Sequence, residues 1–235
     1  IRVRRSSDNT EQDINFNVFG ELDTVSLLDF AGTGDAFVKT WYDQASTNDA
    51  TQTATGSQPQ IVSSGAVIVE NGKPAVEFDG ANDGYLLDTS GLDIGSLSSF
   101  TIGKYTSTGS GEMMLGLSGS TGDKRWYAPF LSSGNFAYGY ADSATAITTS
   151  GDTNQNLHTM ISGTTLNGVE AWLNSSSVGT ATRTTGIDST KNGIGNFDSG
   201  FYADCKIQEI IIYDSDQSSN RTNIESNINT FYSIY

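Results

Sequence analysis

Apolar residues recur at alternate positions or in short runs along most of the chain, which is the pattern of β-strands. Four of the clearest runs are residues 75–78, 157–161, 169–173 and 206–213. Asn-Gly pairs separate neighbouring runs twice, and Asn-Gly favours the type I′ turn of a β-hairpin. Short strands recurring every 8–12 residues with turn residues between them predict an all-β sandwich.

Two stretches have a helical period instead. Residues 23–30 begin at Asp23, a good N-cap, and Gly32 follows as a C-terminal signal. Residues 218–231 place isoleucines and aromatic residues on one stripe of a helix. We expect two short helices, and the absence of a linker or an internal repeat predicts one domain spanning residues 1–235.

The charge balance bears on partners. The chain has 27 Asp and Glu residues against 12 Lys and Arg, for a formal net charge of −15. Such a surface repels phosphate backbones and anionic membranes, so we expect neither a nucleic-acid nor a membrane partner. No apolar run approaches the ~20 residues that span a bilayer. Cys205 is the only cysteine, which we expect to be buried and structural.

Three stretches within the first 80 residues carry a family resemblance. They read Val3-Arg4-Arg5-Ser6-Ser7-Asp8-Asn9-Thr10, Thr40-Trp41-Tyr42-Asp43-Gln44 and Asn71-Gly72-Lys73-Pro74-Ala75. Together they resemble the catalytic domain of the α-L-arabinofuranosidases of glycoside hydrolase family 54. The later part, with its Asn167-Gly168 hairpin and closing strand, resembles concanavalin A-like and laminin-G-like lectin domains. Both resemblances imply a jelly-roll β-sandwich that handles sugars, and similar domains also occur in phage virion proteins.

The resemblance implies catalytic positions that this chain fills incompletely. A retaining hydrolase needs two carboxylates about 5–5.5 Å apart. The strand expected to carry the nucleophile matches residues 126–139, which contain no Asp or Glu and offer Ser132 at the nearest position. The acid/base Asp follows a Gly-Ile-Gly turn, which makes Asp198 the candidate here. Glu170 or Glu112 would have to face it.

A sugar site uses aromatic rings for the apolar faces of the sugar, with amides and carboxylates for its hydroxyls. The aromatic-rich stretch of residues 126–140 and the loop after the Gly-Ile-Gly turn supply both kinds of side chain. The alternative is that the aromatic residues belong to the core. The candidate ligand-binding residues are Trp126, Tyr138, Tyr140, Asn135, Asp142, Phe197, Asp198 and Tyr202.

Calcium is the second candidate ligand, since it takes six to eight oxygen ligands from carboxylates, carbonyls and waters. A tight loop offers Asp79, Asn82 and Asp83, and Asp214 follows the last strand. The lectin-like resemblance implies a structural calcium near such loops. The alternative is an ordinary turn without metal.

Our leading hypothesis is a non-catalytic carbohydrate-binding or adhesion module that recognises a polysaccharide or cell-surface glycan. The first alternative is a glycoside hydrolase of the arabinofuranosidase type, and the second is a structural virion or spacer domain. We expect an extracellular location, on a secreted, cell-surface or virion protein. Because the first residues resemble the middle of a strand, we also expect a mature or excised domain of a larger polypeptide.

Overall fold

The computed structural model describes residues 1–89, 96–118, 125–140, 147–163, 168–182, 191–197 and 200–235. Among these residues the chain forms twenty-one β-strands, two α-helices and one short 3-10 helix (Thr55–Ser57).

The first half of the chain is mainly strand. Its elements are β1 (Arg2–Arg5), β2 (Glu11–Asp13), α1 (Thr24–Ala31), β3 (Ala36–Trp41), β4 (Ala50–Thr51), β5 (Gln60–Ser63), β6 (Ala66–Val67), β7 (Val69–Glu70), β8 (Lys73–Pro74), β9 (Val76–Asp79), β10 (Tyr85–Leu87), β11 (Ser98–Tyr105), β12 (Glu112–Met113) and β13 (Leu115–Ser118).

The second half continues the strands and closes with a helix. Its elements are β14 (Arg125–Ser132), β15 (Asn135–Tyr140), β16 (Ile147–Ser150), β17 (Asn156–Ser162), β18 (Gly168–Leu173), β19 (Ser176–Thr182), β20 (Lys191–Ile194), β21 (Asp204–Tyr213) and α2 (Arg221–Tyr232).

Most of the strand pairings, which are all antiparallel, form two runs that meet at β3; β6 pairs with β5, and β7 and β8 form a separate hairpin. The first sheet has the order β19-β18-β17-β11-β21-β9-β5-β3-β1-β2. The second has the order β4-β10-β20-β13-β14-β15-β16, with β12 also paired to β14. β3 pairs with β5 in one run and with β4 in the other. The predicted all-β jelly-roll sandwich with two short helices is confirmed.

Both sheets contribute large side chains to a common core. The largest of these are completely or almost completely buried: Trp126, Tyr85, Tyr105, Tyr138, Phe78 and Phe136. The predicted burial of Cys205 is also confirmed. A second cluster, with Phe100 and Leu157, lies on the other face of the first sheet, where Ile228 and Tyr232 of α2 cover it. The second sheet has no such helix among the described residues.

The local signals that predicted the ends of elements are mostly confirmed. The Asp23 side chain accepts a hydrogen bond from the backbone N–H of Ser26 at 3.2 Å, and Gly32 follows α1 with φ of 65°. Asn71 and Gly72 both have positive φ, as a type I′ turn requires. α2 starts three residues later than expected, because the N–H of Asn220 bonds back to the carbonyl of Gln217 in a preceding turn.

Neither α1 nor α2 is long and apolar enough to cross a membrane, and this holds for the described residues as a whole.

Candidate functional site

The aromatic residues of β14 and β15 divide between the core and the surface. Trp126 and Tyr138, expected at the surface, are both completely buried, so this part of the prediction is wrong. Alternation identifies the positions that share a face of a strand but leaves open which face meets the core. Here the face with the larger rings packs between the sheets, where burial of apolar area is most favourable.

Tyr138 also forms a polar contact inside the core. Its Oη lies 2.7 Å from Nδ1 of His158 on β17. Burial lowers the pKa of His158 to about 3, so the ring is neutral at physiological pH. Among the described residues, none is hydrogen-bonded to His158 Nε2. His158 is therefore a structural residue of the core.

Three aromatic rings form a continuous cluster on the outer face of the second sheet. Tyr127 and Phe130 of β14 are half-buried, and their ring centroids are 5.8 Å apart. Phe201 contacts Phe130 edge-on at 5.6 Å and is 40% exposed. A register shift between Tyr127 and Phe130 places both side chains outward, although they are three residues apart.

Glycines provide the space in which these rings lie against the sheet. A Cβ on Gly139 would collide with the Tyr127 ring, and one on Gly116 would lie 2.8 Å from Cδ2 of Phe197. Gly116 pairs with both Tyr127 and Gly193 across neighbouring strands. The small residues thus let aromatic rings lie against the strands.

The loop between β20 and β21 crosses the same surface. The N–H of Gly195 bonds to the carbonyl of Met114 at 2.8 Å, and the N–H of Met113 bonds to the carbonyl of Phe201 at 3.0 Å. Phe201 has φ of 54°, a strained value for a bulky residue, which this tether holds in place. The loop therefore presents the Phe201 ring beside Phe130.

Polar groups flank the rings. Asn196 is half-buried and Ser132 ends β14 on the same face as Phe130. Neither the Asn196 amide nor the Ser132 hydroxyl has a hydrogen-bond partner in the part of the chain described above. On the opposite side of the cluster, Leu86 of β10 is 67% exposed. We call this surface the aromatic face and define it by Leu86, Tyr127, Phe130, Ser132, Asn196 and Phe201.

Several predicted contact residues fall near this face. Phe197, a predicted contact residue, packs against Phe201 with ring centroids 6.3 Å apart and is only 4% exposed. Asn135 is exposed and pairs with Ser132, and its amide donates to the carbonyl of Ser133. Tyr202 is half-buried next to Phe201.

Other predicted contact residues cannot be placed in the same way. Tyr140 belongs to β15 and pairs with Trp126 through its backbone. Asp142 and Asp198 lie outside the described residues. They stay predictions.

The two carboxylates considered as partners of Asp198 lie apart from each other. Glu112 pairs with Leu131, whose side chain is completely buried, whereas Met113 pairs with Phe130 of the aromatic face. The Glu112 carboxylate accepts the N–H of Asp204 at 3.1 Å, and its partial burial raises its pKa. Glu170 belongs to β18 in the first sheet. Glu112 thus points away from the aromatic face and Glu170 is on the other sheet.

The predicted calcium ligands do not form one cluster. Asp79 Oδ1 accepts backbone N–H bonds from Ala81, Asn82 and Asp83, as an acidic residue does in an ordinary turn. Asp83 is 8% exposed, and burial together with the Asp79 charge raises its pKa to about 6. The described residues contain no group of three or more Asp, Glu, His or Cys side chains that could hold a metal.

Asp214 is far from this loop. β21 pairs Asp204 with Asp79 at its first residue and ends at Tyr213, so Asp214 follows ten strand residues later. At about 3.3 Å per residue the separation is roughly 30 Å. Asp214 therefore cannot share a metal with Asp79, which corrects the four-residue set.

Leu86, Tyr127, Phe130 and Phe201 were not among the predicted contact residues. Phe201 follows Gly200 in a loop, which was a usable signal for an exposed aromatic residue. The outward direction of Phe130 depends on the register shift in β14, and nothing in the apolar pattern announces that shift.

Comparison with known proteins gives structural relatives only. No protein-family model matches this sequence, and no curated protein sequence does so. Two solved arabinofuranosidases are similar in structure, and both alignments cover 97% of this chain. One is complexed with arabinofuranosyl-α-1,2-xylobiose (TM-score 0.68, 16% identity). The other is a mutant of an α-L-arabinofuranosidase of glycoside hydrolase family 54, soaked with 4-nitrophenyl α-L-arabinofuranoside (TM-score 0.69, 15% identity).

The chain spans 58% of the length of these two arabinofuranosidases. A third similar structure is the CBM40 of Ruminococcus gnavus IT-sialidase bound to α2,3-sialyllactose, with a TM-score of 0.50 and 13% identity. The alignment covers 63% of this chain and 93% of the CBM40 chain. At these identities the similarity concerns the fold.

Proposed function

We propose that this protein binds a carbohydrate on the aromatic face and does not cleave it. The observation that supports this proposal most strongly is the half-exposed cluster of Tyr127, Phe130 and Phe201. The Asn196 amide and the Ser132 hydroxyl lie beside this cluster, and no described residue is hydrogen-bonded to either group. Aromatic rings contact the apolar C–H faces of a sugar, and amide or hydroxyl groups bind its hydroxyls. The ligand would be a polysaccharide or a cell-surface glycan.

The size of the surface supports a chain of sugars over a single one. Leu86 pairs with Gly193, Gly193 with Gly116 and Gly116 with Tyr127, so the row crosses four adjacent strands. At about 4.8 Å between neighbouring strands, the row is roughly 14 Å long. This length exceeds one pyranose ring.

The fold comparisons support a role with sugars. The similar structures include arabinofuranosidases with arabinofuranosyl ligands and a sialyllactose-bound module. The non-catalytic proposal is supported by Ser132 at the position where the family resemblance expects a carboxylate, and by Glu112 pointing away from this face.

The test is retention on polysaccharides with a matched aromatic control. A glycan array first selects ligands, and affinity electrophoresis then compares the wild type with Phe201→Ala and Phe231→Ala. The two phenylalanines are similarly exposed, at 40% and 44%, but Phe231 belongs to α2 on the first sheet. We expect Phe201→Ala to lose retention and Phe231→Ala to keep it. Retention of the wild type on no glycan would contradict the proposal and favour a structural role.

Hydrolysis is the second candidate, because the arabinofuranosidase-like fold covers nearly the whole chain. It would need Asp198 and a second carboxylate about 5–5.5 Å away. Release of arabinose from a chromogenic arabinofuranoside, abolished by Asp198→Asn, would establish hydrolysis as the function in place of binding without cleavage. We expect no release by the wild type.

A further inference from the structure

Asn196 packs closely against two glycines on the aromatic face. Gly84 precedes β10 and Gly193 lies in β20, and neither has the positive φ that would by itself require glycine. A Cβ on Gly84 would lie 2.5 Å from Nδ2 of Asn196, and one on Gly193 would collide with its Oδ1 and its backbone oxygen. Glycine is thus needed at both positions to make room for this asparagine.

The amide that these glycines accommodate is left without a partner. Asn196 is half-buried, and none of the described residues donates to or accepts from its side chain. An amide can donate two hydrogen bonds and accept two, so it can satisfy a sugar hydroxyl in both directions. A fixed side chain also loses little rotamer entropy on binding. These properties suit a ligand contact.

Asn196 is next to the aromatic cluster in space as well as in sequence. Phe197 follows it and contacts Phe201, which contacts Phe130. The described residues that define the aromatic face are all uncharged. The whole chain carries a net charge of −15, which opposes anionic ligands at low ionic strength.

We propose that Asn196 is the specificity-determining residue of the aromatic face and that it selects neutral sugar chains by hydrogen-bonding their hydroxyls. This inference rests on the proposed function. Gly84 and Gly193 are positioning residues, because they act on the ligand only through Asn196.

The test measures dissociation constants by affinity electrophoresis on a fixed panel. The neutral members are arabinoxylan, arabinan, galactan and β-glucan, and the acidic members are glucuronoxylan, polygalacturonate and a sialylated mucin. The variants are Asn196→Ala, Gly193→Ala and the control Asn223→Ala, an exposed asparagine of α2 on the first sheet. We expect the wild type to bind neutral members more tightly than acidic ones.

Asn196→Ala removes one or two hydrogen bonds and should weaken binding about tenfold. Gly193→Ala should weaken it similarly by displacing the amide, and Asn223→Ala should change it less than twofold. A thermal melt checks that Gly193→Ala is folded. If that variant is unfolded, the result for Asn196→Ala, which only removes atoms, tests the role of Asn196 by itself.

Wild-type retention on no member of the panel overturns the proposed function and the inference together. Wild-type retention that Asn196→Ala leaves unchanged, or tighter retention on acidic members, overturns the inference alone.

Discussion

Tyr138→Phe tests the division of the aromatic residues between core and surface. The change removes only the hydroxyl, which lies 2.7 Å from Nδ1 of His158 in a fully buried position. The aromatic ring stays, so no cavity of the size of a side chain forms. If Tyr138 is a core residue, the substitution should lower stability and leave glycan binding intact.

The expected magnitude follows from the groups left without a partner. No described residue bonds His158 Nε2, so loss of the hydroxyl leaves both ring nitrogens of a buried histidine without a partner in that part of the chain. Leaving one buried polar atom unpaired costs about 1–3 kcal/mol. For a chain of this length, a loss of about 2 kcal/mol lowers Tm by roughly 4–8 °C.

The assay is thermal unfolding followed by circular dichroism, at the same pH for each variant. Tyr202→Phe is the control, because Tyr202 is half-buried and no described residue bonds its hydroxyl. We expect Tm to fall for Tyr138→Phe and to change by less than about 1 °C for Tyr202→Phe. An unchanged Tm for Tyr138→Phe, or a loss of its glycan retention, would refute the assignment of Tyr138 to the core.

Three further predictions concern charged groups. The pKa of Asp83 is about 6 in the folded protein, above its value in the unfolded chain, so the stability of the protein falls as pH rises from about 4 to 6. Asp83→Asn should therefore raise the free energy of unfolding by about 1–2 kcal/mol at pH 7 and have no effect on it at pH 4, as measured by urea unfolding. If calcium binds the loop of Asp79 and Asp83, millimolar Ca²⁺ should raise the Tm of the wild type and not that of Asp83→Asn; no shift in either would count against the calcium prediction. Arg221→Ala should lower the free energy of unfolding by about 3 kcal/mol or more, because Arg221 pairs with the completely buried carboxylate of Glu225. Equal midpoints of urea unfolding for the wild type and Arg221→Ala would contradict this.

The fold could be predicted from the sequence because its signals are local. The Asn71-Gly72 turn, the Asp23 cap and the alternating strands each follow from the preferences of a few neighbouring residues. The start of α2 was placed too early because the stripe of apolar residues says little about the first turn of a helix. The turn from Gln217 to Asn220 uses polar residues that such a stripe does not detect.

The site was harder to predict because it depends on contacts between distant residues. Phe201 reaches Phe130 through a backbone tether to Met113, nearly ninety positions away in the sequence. Gly84 and Gly193 have a role only in relation to Asn196, which lies between them in space. The sequence pointed to the loop around Phe197, and in β14 and β15 it favoured Trp126 and Tyr138, which are buried.

The most direct test of the central claim is an NMR titration of the labelled chain with the best-retained glycan. If the glycan binds the aromatic face, the amide signals of β13, β14, β20 and the residues around Asn196 and Phe201 should shift in a saturable way. The signals of β9, β21 and α2 should stay unchanged. Shifts confined to the first sheet, with the aromatic face unaffected, would contradict the account.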